Sequence, residues 1–227
     1  MLTLGTTYFN NPDYLLKYID RNISFVDELI VVDDGSEKNI LDYVKPNKKL
    51  RIFRVKQDYG FNSHGCRNLI MKKTTYHWVI LMDIDREFLW PEEAYHIIKN
   101  KKLDPRTLYR FNAHSRMGEA HVSVNDYLIH KDYFFSAGGY DEEIMGERWG
   151  DREYFEQLKH FGKEYVLTGV DMMLTRAPSS FVKGDSKSVK DKPFRTNIES
   201  YYTVMSRIKK PNPYKPILTF EWEEITI

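Results

Sequence analysis

The chain has 227 residues, 41% hydrophobic and 30% charged, with a net charge of +1, which suits one large domain or one domain with a modest appendage and allows a sizeable core. No apolar run approaches the roughly 18 residues that span a bilayer, and the N-terminus enters a strand pattern at once, so neither an integral membrane segment nor a signal peptide is expected. Cys66 is the sole cysteine, which excludes an internal disulfide and a thiolate metal cluster, and the expected location is cytoplasmic.

Leu2–Thr7 reads as a short buried strand. Asn10-Asn11-Pro12-Asp13 supplies an N-cap with proline in the first turn, and Leu15, Leu16, Ile19 and Ile23 follow as one apolar helical stripe. Glu28–Val32 is a second strand that runs into the turn Asp33-Asp34-Gly35-Ser36, and Leu50–Val55 is a third. A helix over Asn68–Lys73 with its lead-in, a strand over Trp78–Met82 and a helix from Pro91 to about Lys101 complete this alternation. Beyond residue 105, Thr107–His114 and His121–His130 suit an antiparallel or mixed portion. A turn over Gly138–Asp141 and a helix over Asp151–Phe161 come next, the helix closed by Gly162 at C′, and Glu164–Leu167 is a last strand. From Arg176 to Lys215 there are ten Lys/Arg against three Asp/Glu, a local +7 that leaves −6 for the rest. That stretch would meet phosphates or form a solvated surface loop; a short helix over Tyr201–Ile208 lies within it.

Strands alternating with helices predict an α/β fold with a mostly parallel sheet covered on both faces, whose ligands bind outside the carboxyl ends of the strands. Two such ends carry paired acids. Asp83-Ile84-Asp85 closes an apolar strand, and carboxylates so placed suit Mg²⁺ or Mn²⁺ bridging substrate phosphates. Asp33 and Asp34 would accept hydrogen bonds from a nucleoside or cap a tight turn at Gly35. Arg67, near a helix start, would reach a base or diphosphate, or form a surface ion pair. Asp151 falls near a helix N-terminus, where the macrodipole favours the ionised form; this suits a general base or a plain N-cap.

In this order the motifs resemble the family 2 glycosyltransferases and their GT-A relatives over roughly residues 2–170: Val32 to Ser36, Cys66-Arg67-Asn68, Leu81 to Asp85, Gly138 to Glu142, and Trp149 to Asp151. The resemblance implies a GT-A fold, a Rossmann-like αβα sandwich with a smaller mixed or antiparallel portion. It divides the chain into a catalytic domain over 1–175, with a nucleotide-binding half to residue 105 and an acceptor half over 106–175, and a basic loop, lid and extension over 176–227. It also implies an inverting transfer from a nucleotide diphosphate sugar, most often a UDP-sugar, to an acceptor hydroxyl. Thr6, Asp33, Asp34, Arg67 and Asp83 would hold the donor. Asp85, with Asp83, would hold Mn²⁺ or Mg²⁺. Asp151 would be the base, with Trp149, Gly150 and Glu153 at the acceptor.

Two positions depart from the family pattern. Gly150 replaces the usual Glu of a Glu-Asp pair, so Glu153 or Glu147 is the substitute, and no histidine follows His160 to serve as a further metal ligand, which leaves Asp171 as a candidate. A saccharide acceptor is expected. Hydroxymethylated DNA is the alternative acceptor, and a GT-A-shaped binding module without catalysis is the rival reading. Nucleotidyl transfer lacks its usual Gly-rich N-terminal loop. A lid would bring Arg176, Lys183 or Lys187 to the diphosphate.

Overall fold

The structure is a computed structural model that describes residues 1–60, 62–114, 120–142, 148–174, 204–212 and 217–226, together with Tyr202 and Lys215. The lid residues Arg176, Lys183 and Lys187 lie outside these, as does Glu147.

Along the chain the elements are β1 (Leu2–Tyr8), α1 (Pro12–Asn22), β2 (Glu28–Asp33), a 3₁₀ turn (Ile40–Asp42), β3 (Leu50–Val55), α2 (Ser63–Lys73), β4 (Trp78–Leu81), β5 (Arg86–Phe88) and α3 (Pro91–Asn100). The second half holds β6 (Thr107–His114), β7 (Ala120–His130), α4 (Lys131–Ser136), α5 (Arg148–Leu158), β8 (Lys163–Leu174) and β9 (Trp222–Ile225). All nine strands form one sheet in the order β5-β8-β6-β7-β4-β1-β2-β3-β9. The centre, β4-β1-β2-β3, is parallel, and β7 and β9 flank it antiparallel. This is the α/β architecture expected, with the mixed portion joined to the parallel one through β4 and β7.

Local chemistry explains the elements. Asn11 caps α1 by accepting from the Tyr14 N–H, and Pro12 occupies the first turn, where its missing N–H costs nothing. Leu15 and Ile19 are buried as the stripe requires, with Tyr18 beside them. β2 is buried at every position, as a central parallel strand covered on both faces must be. Its alternate residues feed two cores: Leu29 and Val31 pack with Leu15 and Tyr95, Ile30 and Val32 with Leu69 and Phe134. Helix α2 is buried over eight consecutive residues, His64 to Met71, because chain covers it on the side away from the sheet as well; a Cβ on Gly65 would lie 2.5 Å from the Phe220 ring.

Three expectations change. Helix α5 begins at Arg148, so Asp151 lies inside the helix and is not its N-cap. Gly162 does not have the positive φ of a C′ glycine; it is needed because a Cβ there would lie 2.1 Å from the Arg106 carbonyl oxygen. The last predicted strand is longer, since β8 pairs with β6 on one side and β5 on the other. Among the described residues, no helix is long and apolar enough to cross a membrane.

The connections β1→β2→β3 step one way across the sheet and β4 returns to the other side of β1. Chains therefore diverge at the carboxyl ends of β1 and β4, where sheets of this kind take their ligands. The acids after β2 and β4 stand at that end.

Candidate active site

Gly35 has φ +82, and a Cβ on it would meet the Asp58 backbone at 2.9 Å, so the turn after β2 demands glycine. Asp33, fully buried, accepts from the Ser36 N–H at 2.9 Å, with the Arg54 guanidinium 3.8 Å from its other oxygen. Burial raises its pKa against these contacts. The turn-capping role therefore holds for Asp33. Asp34 accepts from the Asn62 N–H at 2.8 Å and so joins the β2 turn to the start of α2. Thr6, on β1 between Val31 and the β4 end, is buried. Nearby, both amide atoms of the buried Asn62 side chain lack a hydrogen-bond partner among the described residues.

Arg67 organises the centre. It is 5% exposed, not a surface ion-pair former. Its guanidinium donates to Asp83 at 2.6 Å and to the Tyr140 hydroxyl at 3.1 Å, and lies 3.6 Å from Asp151. Asp83, Arg67 and Asp151, from three separate segments, thus converge. His64 stands on the same helix one turn earlier, stacked on Tyr140 at 4.7 Å, with Nε2 3.5 Å from Asp151. Burial alone would raise the Asp151 carboxyl; the His64 imidazole, Arg67 and the Tyr140 hydroxyl outweigh it and hold the group below its ordinary value. It is ionised at neutral pH.

Asp85 behaves oppositely. Burial first, and the adjacent Asp83 second, push its pKa up to about 6, with Arg86 opposing. Two carboxylates that repel at a strand end, both hard oxygen donors, fit a divalent cation, which would relieve that repulsion. The turn they sit on is pinned from β7: the Asp83 N–H donates to the fully buried Asp126 at 2.8 Å, Asn125 Nδ2 donates to Asp83 at 3.4 Å, and Arg86 lies 3.4 Å from Asp126. Asp171 pairs with His114 at 3.3 Å, and its carbonyl accepts from the Leu89 N–H.

Trp149 and Gly150 precede Asp151 in the first turn of α5. Glu153 is fully buried and accepts from Lys215 Nζ at 2.6 Å, which anchors the C-terminal stretch to the helix carrying Asp151. A cleft of about 550 Å³ opens at Asp151, lined by Val124, Asn125, Arg152 and Phe155 among others.

His64, Tyr140, Asn125 and Asp126 were not anticipated as site residues. Tyr140 stood within the glycine-turn motif and His64 in the polar lead-in to α2, so both had a weak positional signal. Asn125 and Asp126 carry no motif and reach Asp83 only through the β4–β7 pairing.

The chondroitin synthase of Pasteurella multocida (strain Pm70) is 36% identical over 69 residues, 30% of this chain and 7% of that protein. Among solved structures, GalNAc-T7 with UDP, GalNAc and Mn²⁺ matches with a TM-score of 0.65 at 12% identity, over 91% of this chain and 47% of that one. The mannosyltransferase PcManGT from Pyrobaculum calidifontis, in complex with GDP-Man and Mn²⁺, matches with a TM-score of 0.60 at 12% identity, over 91% and 69%. S. aureus TarS gives 0.61 at 14% identity, over 91% and 43%. The chain thus spans less than half the length of GalNAc-T7 and TarS and a small part of the chondroitin synthase. Residues 3–116, half of the chain, match the model for glycosyl transferase family 2, and the chain belongs to that family and has the GT-A fold.

Proposed function

We propose that the chain is an inverting, divalent-metal-dependent glycosyltransferase, which moves a sugar from a nucleotide diphosphate sugar, foremost a UDP-sugar, to the hydroxyl of a saccharide. The observation that carries this reading is the convergence of Asp83, Arg67 and Asp151 beside an open cleft. Asp34 and Thr6 are assigned to the nucleoside side, with Asp33 capping the turn beside them, at the strand ends where such sheets take nucleotides. Asp85 and Asp83 hold Mn²⁺ or Mg²⁺, which when bound supplies positive charge against the diphosphate. GalNAc-T7 and PcManGT were both solved with a nucleotide and Mn²⁺, which supports that pairing.

Asp151 is the base. Its carboxyl is in the ionised form that a base needs, and the acceptor hydroxyl reaches it through the cleft. As that oxygen bonds to the anomeric carbon, its proton passes to Asp151 and the bond to the diphosphate oxygen breaks, which inverts the centre. Arg67 limits where the carboxylate can sit, and His64 supports it from behind. Trp149 and Gly150, which precede Asp151 in the sequence, are assigned to the acceptor. Glu153 contributes by fixing α5 against Lys215. The cleft balances Arg110, Arg152 and Lys159 against Asp151, Glu156 and Glu164. A saccharide suits it better than nucleic acid, whose phosphates need a uniformly basic track.

The test is transfer from a panel of nucleotide sugars with Mn²⁺. Asp151→Asn is expected to lower kcat by about 100- to 10,000-fold while the donor still raises the Tm with Mn²⁺. Asp85→Ala is expected to lose that metal-dependent rise. Parental turnover in both variants would refute the roles assigned.

A further inference from the structure

A second group of ligating side chains lies at the opposite end of β4 from the acids. His77, just before β4, His130 at the end of β7 and Asp132 in α4 each offer one ligand atom, all within 4.8 Å of one another. The backbone produces this. β4 and β7 run antiparallel with Trp78 opposite His130, and the Lys131 N–H donates to the His77 carbonyl at 2.8 Å. The two imidazoles stack at 5.3 Å with 9° between their planes, and His130 meets Trp78 edge-on at 5.1 Å. Nδ1 of His130 accepts from the Asp132 N–H at 3.3 Å and lies 3.7 Å from the Asp132 carboxylate. Lys131, the cation between the two ligands in sequence, has its Nζ held by the Thr74 carbonyl at 3.1 Å.

We propose that His77, His130 and Asp132 form a binding site for Zn²⁺, with the remaining coordination position left to water. Two imidazoles and one carboxylate suit zinc, whereas the all-oxygen pair at Asp83 and Asp85 suits Mn²⁺ or Mg²⁺. Tetrahedral zinc, with bonds of about 2.1 Å, sets its ligand atoms roughly 3.4 Å apart. The cluster therefore contracts by about 1.4 Å at most to hold the ion. Rings stacked in parallel cannot both aim at one ion, so one must turn. His77 is exposed and gives up little packing in doing so, while His130 is kept in place against Trp78. At about 3.3 Å per strand residue, six residues put His77 roughly 20 Å from Asp83, so the ion touches none of the reacting groups. It ties the lead-in of β4 to the junction of β7 and α4, and stabilises the fold by mass action.

The experiment titrates Zn²⁺ alone into the full chain carrying Asp85→Ala, which weakens the acidic strand end as a competing site, with heat and Tm as readouts. One zinc site is expected. Adding His77→Ala, and separately Asp132→Asn, is expected to weaken it at least tenfold and to remove the zinc-dependent Tm rise. Affinity within twofold of the Asp85→Ala chain in both variants, or no zinc binding to that chain at all, overturns the proposal. Single His77→Ala is expected to keep parental transfer with Mn²⁺. Because zinc binding is read without turnover, failure of this site and failure of the transferase reading give different results.

Discussion

Arg67 touches Asp83, Tyr140 and Asp151 at once, and no single neighbour explains its place. Arg67→Ala leaves two carboxylates around a buried site without their cation, and we expect a loss of about 3–5 kcal/mol of stability, measured by urea unfolding, with transfer lost as well. Gly35 is the corresponding backbone case. With φ +82 and Asp58 at 2.9 Å from its added Cβ, Gly35→Ala is expected to cost about 1–3 kcal/mol and to weaken donor-dependent thermal stabilisation, since the turn positions Asp33 and Asp34. Arg67 and Gly35 were legible in the chain because each sits in a short local motif. Asn125 and Asp126 were not, because their reach to Asp83 exists only across a strand pairing.

Between elements, polar groups do the joining. Glu28 opens β2, is 4% exposed, and accepts from Thr3, Arg51, and the N–H and hydroxyl of Thr75. Burial opposes its charge, and these hydrogen bonds more than offset that, holding it below its ordinary 4.5. A carboxyl depressed in the folded state contributes stability above its unfolded value and loses it as pH falls through the folded one. Glu28→Gln is therefore expected to cost about 3–5 kcal/mol at neutral pH and to flatten the acid limb of the unfolding curve below pH 4.5. Lys215 and Glu153 make a second join. Both are buried, so Lys215→Met alone strands a carboxylate and should unfold at lower urea, whereas pairing it with Glu153→Leu should recover most of the loss.

At the scale of the molecule, the C-terminal stretch closes the architecture. β9 adds to β3 at the sheet edge, and Glu142 accepts from the Leu218 and Thr219 N–H groups while also accepting from Asn68. Those bonds connect the glycine-turn motif, the Arg67 helix and the end of the chain. Deleting residues 218–227 is expected to lower the Tm by about 10 °C and to promote aggregation through the bared β3 edge, read by light scattering.

The sequence by itself determined the alternation of strands and helices, the glycine turn and the acids at two strand ends, because these depend on periodicity and local backbone chemistry. Tertiary structure decided which of those acids meet. Strand order sets Asp83 beside Asn125, and the placement of α5 brings Asp151 to His64 and Arg67 of α2 while Glu153 goes inward to Lys215. Residues two apart on one helix part company because a helix turns about 100° per residue, and only the packed neighbours say which side faces the cleft.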